Sequence, residues 1–144
     1  DISHGLRPAM LDTLGLSSAL RELFNEIEGE SDIDIQFFSK KIPKHFCKEK
    51  EIALYRIAQE SLNNAVKYAR ATQIFVSLVK KDRHILLSIE DDGVGFEPDK
   101  VMKNHPGKHL GLVFMRERVI QLNGEFNIES RKRGGTLVLA DIPL

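Results

Sequence analysis

Apolar positions along the first part of the chain fall at Leu11, Leu14, Leu20, Leu23, Phe24 and Ile27, at helical spacings interrupted near Gly15. With Pro8 as a good first-turn residue, this predicts two helical pieces with a bend. Ile33, Ile35 and Phe37 alternate with polar neighbours and predict a strand ending before Pro43. Residues 48–68 carry the strongest helical pattern, with Leu54, Ala58, Leu62, Ala65 and Ala69 on one apolar face. Two β-rich runs follow, residues 73–80 and 84–90, joined by the polar turn Lys81, Asp82 and Arg83, and these predict an antiparallel hairpin. Between Gly93 and Lys108 the chain turns to Gly, Pro, Asp, Lys and Asn, the composition of a mobile surface loop and longer than most connections in a compact domain. A third helix is expected over residues 110–122, stopped by Asn123-Gly124, and two last strands over 125–130 and 136–142 flank a basic turn ending in Gly134-Gly135. Sheet runs interleaved with helices predict an α/β (α+β) fold, a two-layer sandwich whose helices cover one face of the sheet.

Composition narrows the possibilities. The 144 residues suit one compact domain, and 42% hydrophobic with 29% charged residues is ordinary for a soluble globular chain. The 21 basic and 21 acidic side chains cancel, which leaves no field to draw the domain onto nucleic acid or an anionic membrane. The lone Cys47 can form no internal disulfide and fits a reducing compartment, most simply as an apolar filler. No apolar run approaches the roughly 20 residues that span a bilayer and no signal peptide opens the chain, so a cytoplasmic location is expected, with any membrane anchor of a parent protein outside these residues.

Chemistry could live in three places. On the main helix Glu60, Asn64 and Lys67 share a stripe, with Tyr68 beside it, pointing roughly opposite the apolar face. The plain reading is a solvated helix side. A carboxylate, a carboxamide, an ammonium and a ring are also what a metal, phosphates and a planar base require, and a carboxamide oxygen suits Mg²⁺. Directly after a β-run stands Glu90-Asp91-Asp92-Gly93-Val94-Gly95-Phe96. A carboxylate there can accept from an exocyclic amine, and the glycines let the backbone come close to a ligand; Asp-Gly is equally common turn chemistry. Gly107-Lys108-His109-Leu110-Gly111-Leu112 leads into the third helix, where free N–H groups can cradle phosphate or the glycines can simply punctuate a loop. Gly134-Gly135-Thr136 is explained by a hairpin turn.

In order, these segments resemble the ATP-binding domain shared by histidine kinases, DNA gyrase, the heat-shock chaperone ATPases and MutL. Residues 60–69 look like that family's asparagine box, Asp91-x-Gly93-x-Gly95 like its first glycine box and residues 107–112 like its second. Leu6-Arg7-Pro8, Leu11-Asp12, Leu14-Gly15-Leu16 and Met115-Arg116-Glu117-Arg118-Val119 resemble the nitrate-sensor and DesK-type sensor histidine kinases. The resemblance implies the Bergerat-type fold, a mixed, mainly antiparallel sheet under about three helices with a mobile lid. It implies residues 1–15 as the end of a dimerisation and phosphoacceptor helix, and residues 16–144 as the catalytic domain. Its cofactors would be ATP and Mg²⁺: Asn64 binding the metal, Lys67 approaching the phosphates, Tyr68 packing near the base and Asp91 accepting the adenine amine. Gly93 and Gly95 would make room for the nucleotide. Gly107, His109, Leu110, Gly111 and Leu112 would form the lid's end, and Thr136 would support the adenine side through water. Glu60 matches the general base of the superfamily's ATPases and, in a kinase, would orient Mg²⁺ or water.

The activity implied is transfer of the ATP γ-phosphoryl to a histidine, then to an aspartate of a response-regulator receiver domain. Two departures stand out. The kinase subfamily usually has glycine where this chain has His109, and the box with the phosphoacceptor histidine lies upstream in the family and is absent here. His4 sits in a segment like the far end of the second dimerisation helix and is not taken as the acceptor, and His45, His84 and His105 have no motif around them. The partners implied are therefore the dimerisation and phosphoacceptor domain of the same kinase and the receiver domain, with the fragment itself a monomer. Two rivals are an ATPase of gyrase or chaperone type, with Glu60 activating water, and a protein-binding module of anti-sigma or degenerate-kinase kind.

Overall fold

The computed structural model describes residues 8–95, 110–130 and 134–144, and at Leu110 and Leu112 the backbone alone. Its elements are α1 (Ala9–Leu14), α2 (Leu16–Glu30), β1 (Asp34–Lys40), α3 (Lys48–Lys67), β2 (Gln73–Lys81), β3 (His84–Asp91), α4 (Leu110–Gln121), β4 (Glu125–Ser130) and β5 (Thr136–Pro143). The expected bend between the first two helices falls at Gly15, whose φ of 88° suits a residue without a side chain. A Cβ there would collide with the Lys44 carbonyl oxygen, so the bend is also where the segment before α3 crosses.

One five-stranded sheet forms in the order β1-β2-β3-β5-β4. β1 runs parallel to β2 and every other pairing is antiparallel. The parallel pair is possible because α3 carries the chain back across the sheet between β1 and β2. The β2–β3 hairpin is tighter than the sequence suggests. Lys81 belongs to β2, paired with His84, and the turn is Asp82-Arg83 alone, with Asp82 at φ 56°. Two-residue loops with positive φ match the twist of their strands, which is why the ladder extends one step further.

The helices lie on one face. α3 presses Leu54, Ala58, Leu62 and Ala65 onto Ile74, Leu78, Ile85, Leu87 and Ile142 of the sheet, with Leu16 and Leu20 of α2 and Val119 of α4 closing the core. Removing each such aliphatic side chain from water is worth about 1.5–3 kcal/mol, which fixes the face α3 must bury and so the face it presents outward. The start of α3 is held by Glu51, a buried carboxylate whose Oε2 accepts from the N–H groups of Phe46 (3.0 Å) and Cys47 (3.1 Å). No helix among the described residues is long and apolar enough to cross a membrane.

Candidate nucleotide site

Asp91 is the last residue of β3, directly across the ladder from Thr136 at the start of β5. Its Oδ1 accepts from the N–H of Gly93 at 2.8 Å. Burial pushes its carboxyl above the ordinary value of 3.8, more than the N–H groups of Gly93 and Thr136 pull it down, and the negative charges of Asp92 and Glu90 push it further up. The neighbouring Asp92 has the opposite fate. Its carboxylate accepts from Gln73 N (2.9 Å), Thr72 Oγ1 (2.6 Å) and Thr72 N (2.8 Å), donors that hold it below the usual range. One acid of the pair is thus used up fastening the entry of β2. The other is kept half-buried with accepting capacity to spare, the condition in which a carboxylate becomes a recognition group.

The segment after Asp91 is welded to the end of α3. Val94 donates to the Ala69 carbonyl at 2.8 Å, and a Cβ on the buried Gly93 would collide with that oxygen and come within 2.6 Å of the Ala69 Cβ. Gly93 is therefore required for close approach to α3, and Gly95, at φ 71°, for the backbone's direction afterwards. On the α3 side, the Asn64 carbonyl accepts from Tyr68 N (2.9 Å) and Ala69 N (3.2 Å) as the helix ends, and Arg70 at φ 52° completes the stop. A continuous path of backbone bonds thus ties the Asn64 turn to the Asp91 loop.

Asn64 is half-buried, and its carboxamide makes no hydrogen bond to any described residue. Lys67 is exposed and Tyr68 is 45% exposed. Glu60 is half-buried against α4: a Cβ on Gly111 would stand 2.6 Å from the Glu60 Cδ and 2.8 Å from its Oε2. The carboxylate therefore occupies the first turn of α4, where free N–H groups and the helix dipole favour negative charge. Thr136 is buried, its hydroxyl 2.7 Å from Ser130 Oγ. Asp91, Thr136, Gly135 and Glu129 line a hollow of about 320 Å³. Gly107 and His109 lie outside the described residues, as do the side chains of Leu110 and Leu112.

The Asp91-x-Gly93 turn thus abuts the chain at Ala69, just beyond the C-terminal end of α3 whose last turn carries Asn64 and Lys67, while Glu60, a turn earlier, faces Gly111 of α4. Three contributors escaped the sequence reading: Asp92 as the clamp on Thr72 and Gln73, Ala69 as the floor under Gly93, and Glu51 at the far end of α3. The tandem acids hinted at the first, since two adjacent carboxylates at a strand end point to opposite sides. A long groove between α3 and α4, about 390 Å³, runs from Glu60 past Ile57, Ala53 and Ile52, faced by Phe114 and Met115 and rimmed by Arg56 and Arg118.

The family profile described as histidine kinase-, DNA gyrase B-, and HSP90-like ATPase matches residues 49–144. The oxygen sensor histidine kinase NreB of Staphylococcus carnosus is 37% identical over 144 residues, covering all of this chain and 41% of that protein. The Erythrobacter litoralis EL346 blue-light activated histidine kinase superposes with a TM-score of 0.65 at 25% identity, over 88% of this chain and 40% of that one. The catalytic domain of the histidine kinase ThkA superposes with a TM-score of 0.67 at 18% identity, over 89% of each chain. The last shows the fold alone; the chain spans less than half the length of the first two. The match over residues 49–144 means that this chain belongs to the histidine kinase-, DNA gyrase B- and HSP90-like ATPase family.

Proposed function

We propose that the domain binds Mg²⁺ and ATP between α3 and the Asp91 loop and donates the γ-phosphoryl to a histidine of a segment upstream of it, for relay to an aspartate of a receiver domain. The observation that carries this is the contrast at positions 91 and 92, a half-buried carboxylate with spare accepting capacity beside one fully used by the fold. Asp91 accepts the adenine amine, and Thr136, across the ladder, lies on the same side. Asn64 supplies its uncommitted carboxamide oxygen toward the metal, Lys67 reaches the phosphates and Tyr68 lies near the base. Among the described residues no group of three His, Cys, Asp or Glu side chains could hold a metal ion. Mg²⁺ takes one or two protein oxygens and completes its shell with phosphates and water, so a single carboxamide oxygen would serve it. When bound, Mg²⁺ neutralises charge building on the transferred phosphoryl group.

Glu60, placed against the first turn of α4, holds that helix and would orient a bound Mg²⁺ or water rather than take a proton from a water attacking the γ-phosphorus. This favours kinase over hydrolase. The acceptor histidine arrives on a helix, and the α3–α4 groove, apolar along its floor and ending at Glu60, suits one amphipathic helix. Residues 1–15 are the remainder of such a dimerisation segment. The domain works in the cytoplasm beside its receiver partner, whatever anchors its parent.

Titration calorimetry with Mg²⁺ and a non-hydrolysable ATP analogue tests the reading. Binding is expected, strongly weakened by Asp91→Ala, which leaves the adenine amine without its partner. Absence of binding by the intact chain refutes it, and steady hydrolysis abolished by Glu60→Gln returns the ATPase reading.

A further inference from the structure

α3 carries one polar atom that the fold does not use. Ser61 is 6% exposed, and among the described residues its Oγ is the only buried side-chain oxygen or nitrogen without a hydrogen-bond partner. A buried hydroxyl left unpaired works against folding, so its presence in a native chain calls for a reason. On the buried side of the same helix the chain elsewhere places Ala53, Ala58 and Ala65, a better helix former with no polar atom to satisfy. Packing therefore does not account for the hydroxyl.

The helix phase shows where it stands. At about 100° per residue, Ser61 lies about 40° from Ile57 on one side and about 40° from Ala65 on the other. Ile57 belongs to the row that faces α4, and Ala65 to the row packed into the core against the sheet. Seen down the axis, Ser61 is about 20° from Tyr68, about 60° from Asn64 and about 120° from Lys67. It thus stands in the row of Tyr68, toward the sheet whose ends carry Asp91 and Thr136 and away from Lys67. Along the axis it is one turn deeper than Asn64, about 5 Å. The next residue above it on the sheet side is Ala65, a methyl group only.

We propose that Ser61 is a base-recognition residue of the nucleotide site, its hydroxyl donating to a ring nitrogen of adenine, directly or through one water. The inference rests on the nucleotide reading above and adds a donor to it. Asp91, when ionised, can only accept, and so meets the amine while leaving the accepting ring nitrogens of the base unmet. A hydroxyl can donate. The pair then covers both kinds of group that adenine presents, and the unpaired Oγ has its partner once the base is bound.

Titration calorimetry of the 144-residue chain tests this, first with a non-hydrolysable ATP analogue and Mg²⁺, then with adenosine alone. Ser61→Ala should weaken both by the same factor, about 3- to 10-fold, because the lost bond goes to the base and not to the phosphates. Ser61→Cys, close in size but a poor donor, should weaken them alike, which separates a hydrogen bond from a filled space. Thermal melts supply the second readout. Ser61→Ala should melt at or above the parent chain, since the fold loses no bond and gains a better helix former. Parent-like affinity in Ser61→Ala overturns the role of Ser61 and leaves the nucleotide reading standing. So does a loss confined to Ser61→Ala and absent from Ser61→Cys, or a Ser61→Ala melt several degrees lower, which would show a hydroxyl serving the fold. No binding by the parent chain overturns both readings together.

Discussion

Replacing Asp91 by Asn separates what the fold needs at this position from what the nucleotide needs. The amide keeps a carbonyl oxygen that can accept the Gly93 N–H at the same 2.8 Å, so the turn is preserved. What disappears is a charge that burial disfavours. A carboxyl whose folded value is raised binds more protons in the folded than in the unfolded chain between 3.8 and that raised value. Stability is therefore full below 3.8 and falls as pH rises through the folded value, and the variant escapes this loss. Because the group is partly exposed and solvent screens it, the gain at neutral pH is small and is read as a modest rise in Tm. Nucleotide binding moves the other way. Loss of a hydrogen bond to a charged acceptor costs about 1.5–3 kcal/mol, roughly a 10- to 100-fold weaker Kd. An amide NH₂ turned toward the adenine amine sets donor against donor and places the effect at the upper end. Calorimetry with an ATP analogue and melts at pH 3.5 and pH 7 measure both quantities. The two proteins should melt alike at the lower pH and separate, variant above wild type, at the higher. Unchanged affinity, or a variant that melts lower at pH 7, refutes the assignment of Asp91 as a binding group held at the expense of stability.

Asp92→Ala should do the reverse, lowering Tm by several degrees through the lost bonds to Thr72 and Gln73 while affecting nucleotide affinity less than Asp91→Asn. Because the Asp92 carboxyl is held below 3.8, its stabilising effect is present above that pH and fades as pH falls through the lowered folded value, so the melting difference should shrink in acid. Gly111→Ala drives a methyl into the end of the Glu60 side chain, which must swing away, so the helix-propensity gain of about 1 kcal/mol expected of alanine should be partly or wholly lost. Shortening the opposing side chain with Glu60→Ala should recover most of that loss in a double-mutant cycle of melts, and additive effects would show that the contact is not made.

Much of the fold was legible because burial repeats with the period of the element that carries it. Leu54, Ala58, Leu62, Ala65 and Ala69 of the helical pattern are all buried, and the alternation in β2 and β3 matches their inward faces. The order of strands was not legible. Nothing local tells β5 to insert between β3 and β4, or β1 to run parallel to β2, since register is settled by what the whole sheet buries. At the site, residue types and order pointed to Glu60, Asn64 and Asp91 through a family resemblance. Two contacts remained hidden because they join residues far apart in the chain: Glu60 against Gly111, and Gly93 against Ala69. A glycine in sequence advertises freedom; only the fold reveals that both are there because something else already fills the space.

The bond from Val94 to Ala69 also bears on what can change when a ligand arrives. It staples the Asp91 loop to the turn that follows Asn64 as a bracket, so that the spacing between those two proposed ends of the site is set by the fold itself. Such a bracket measures its guest like a caliper locked at one setting, and accommodation must come from the opposite jaw, where α4 begins.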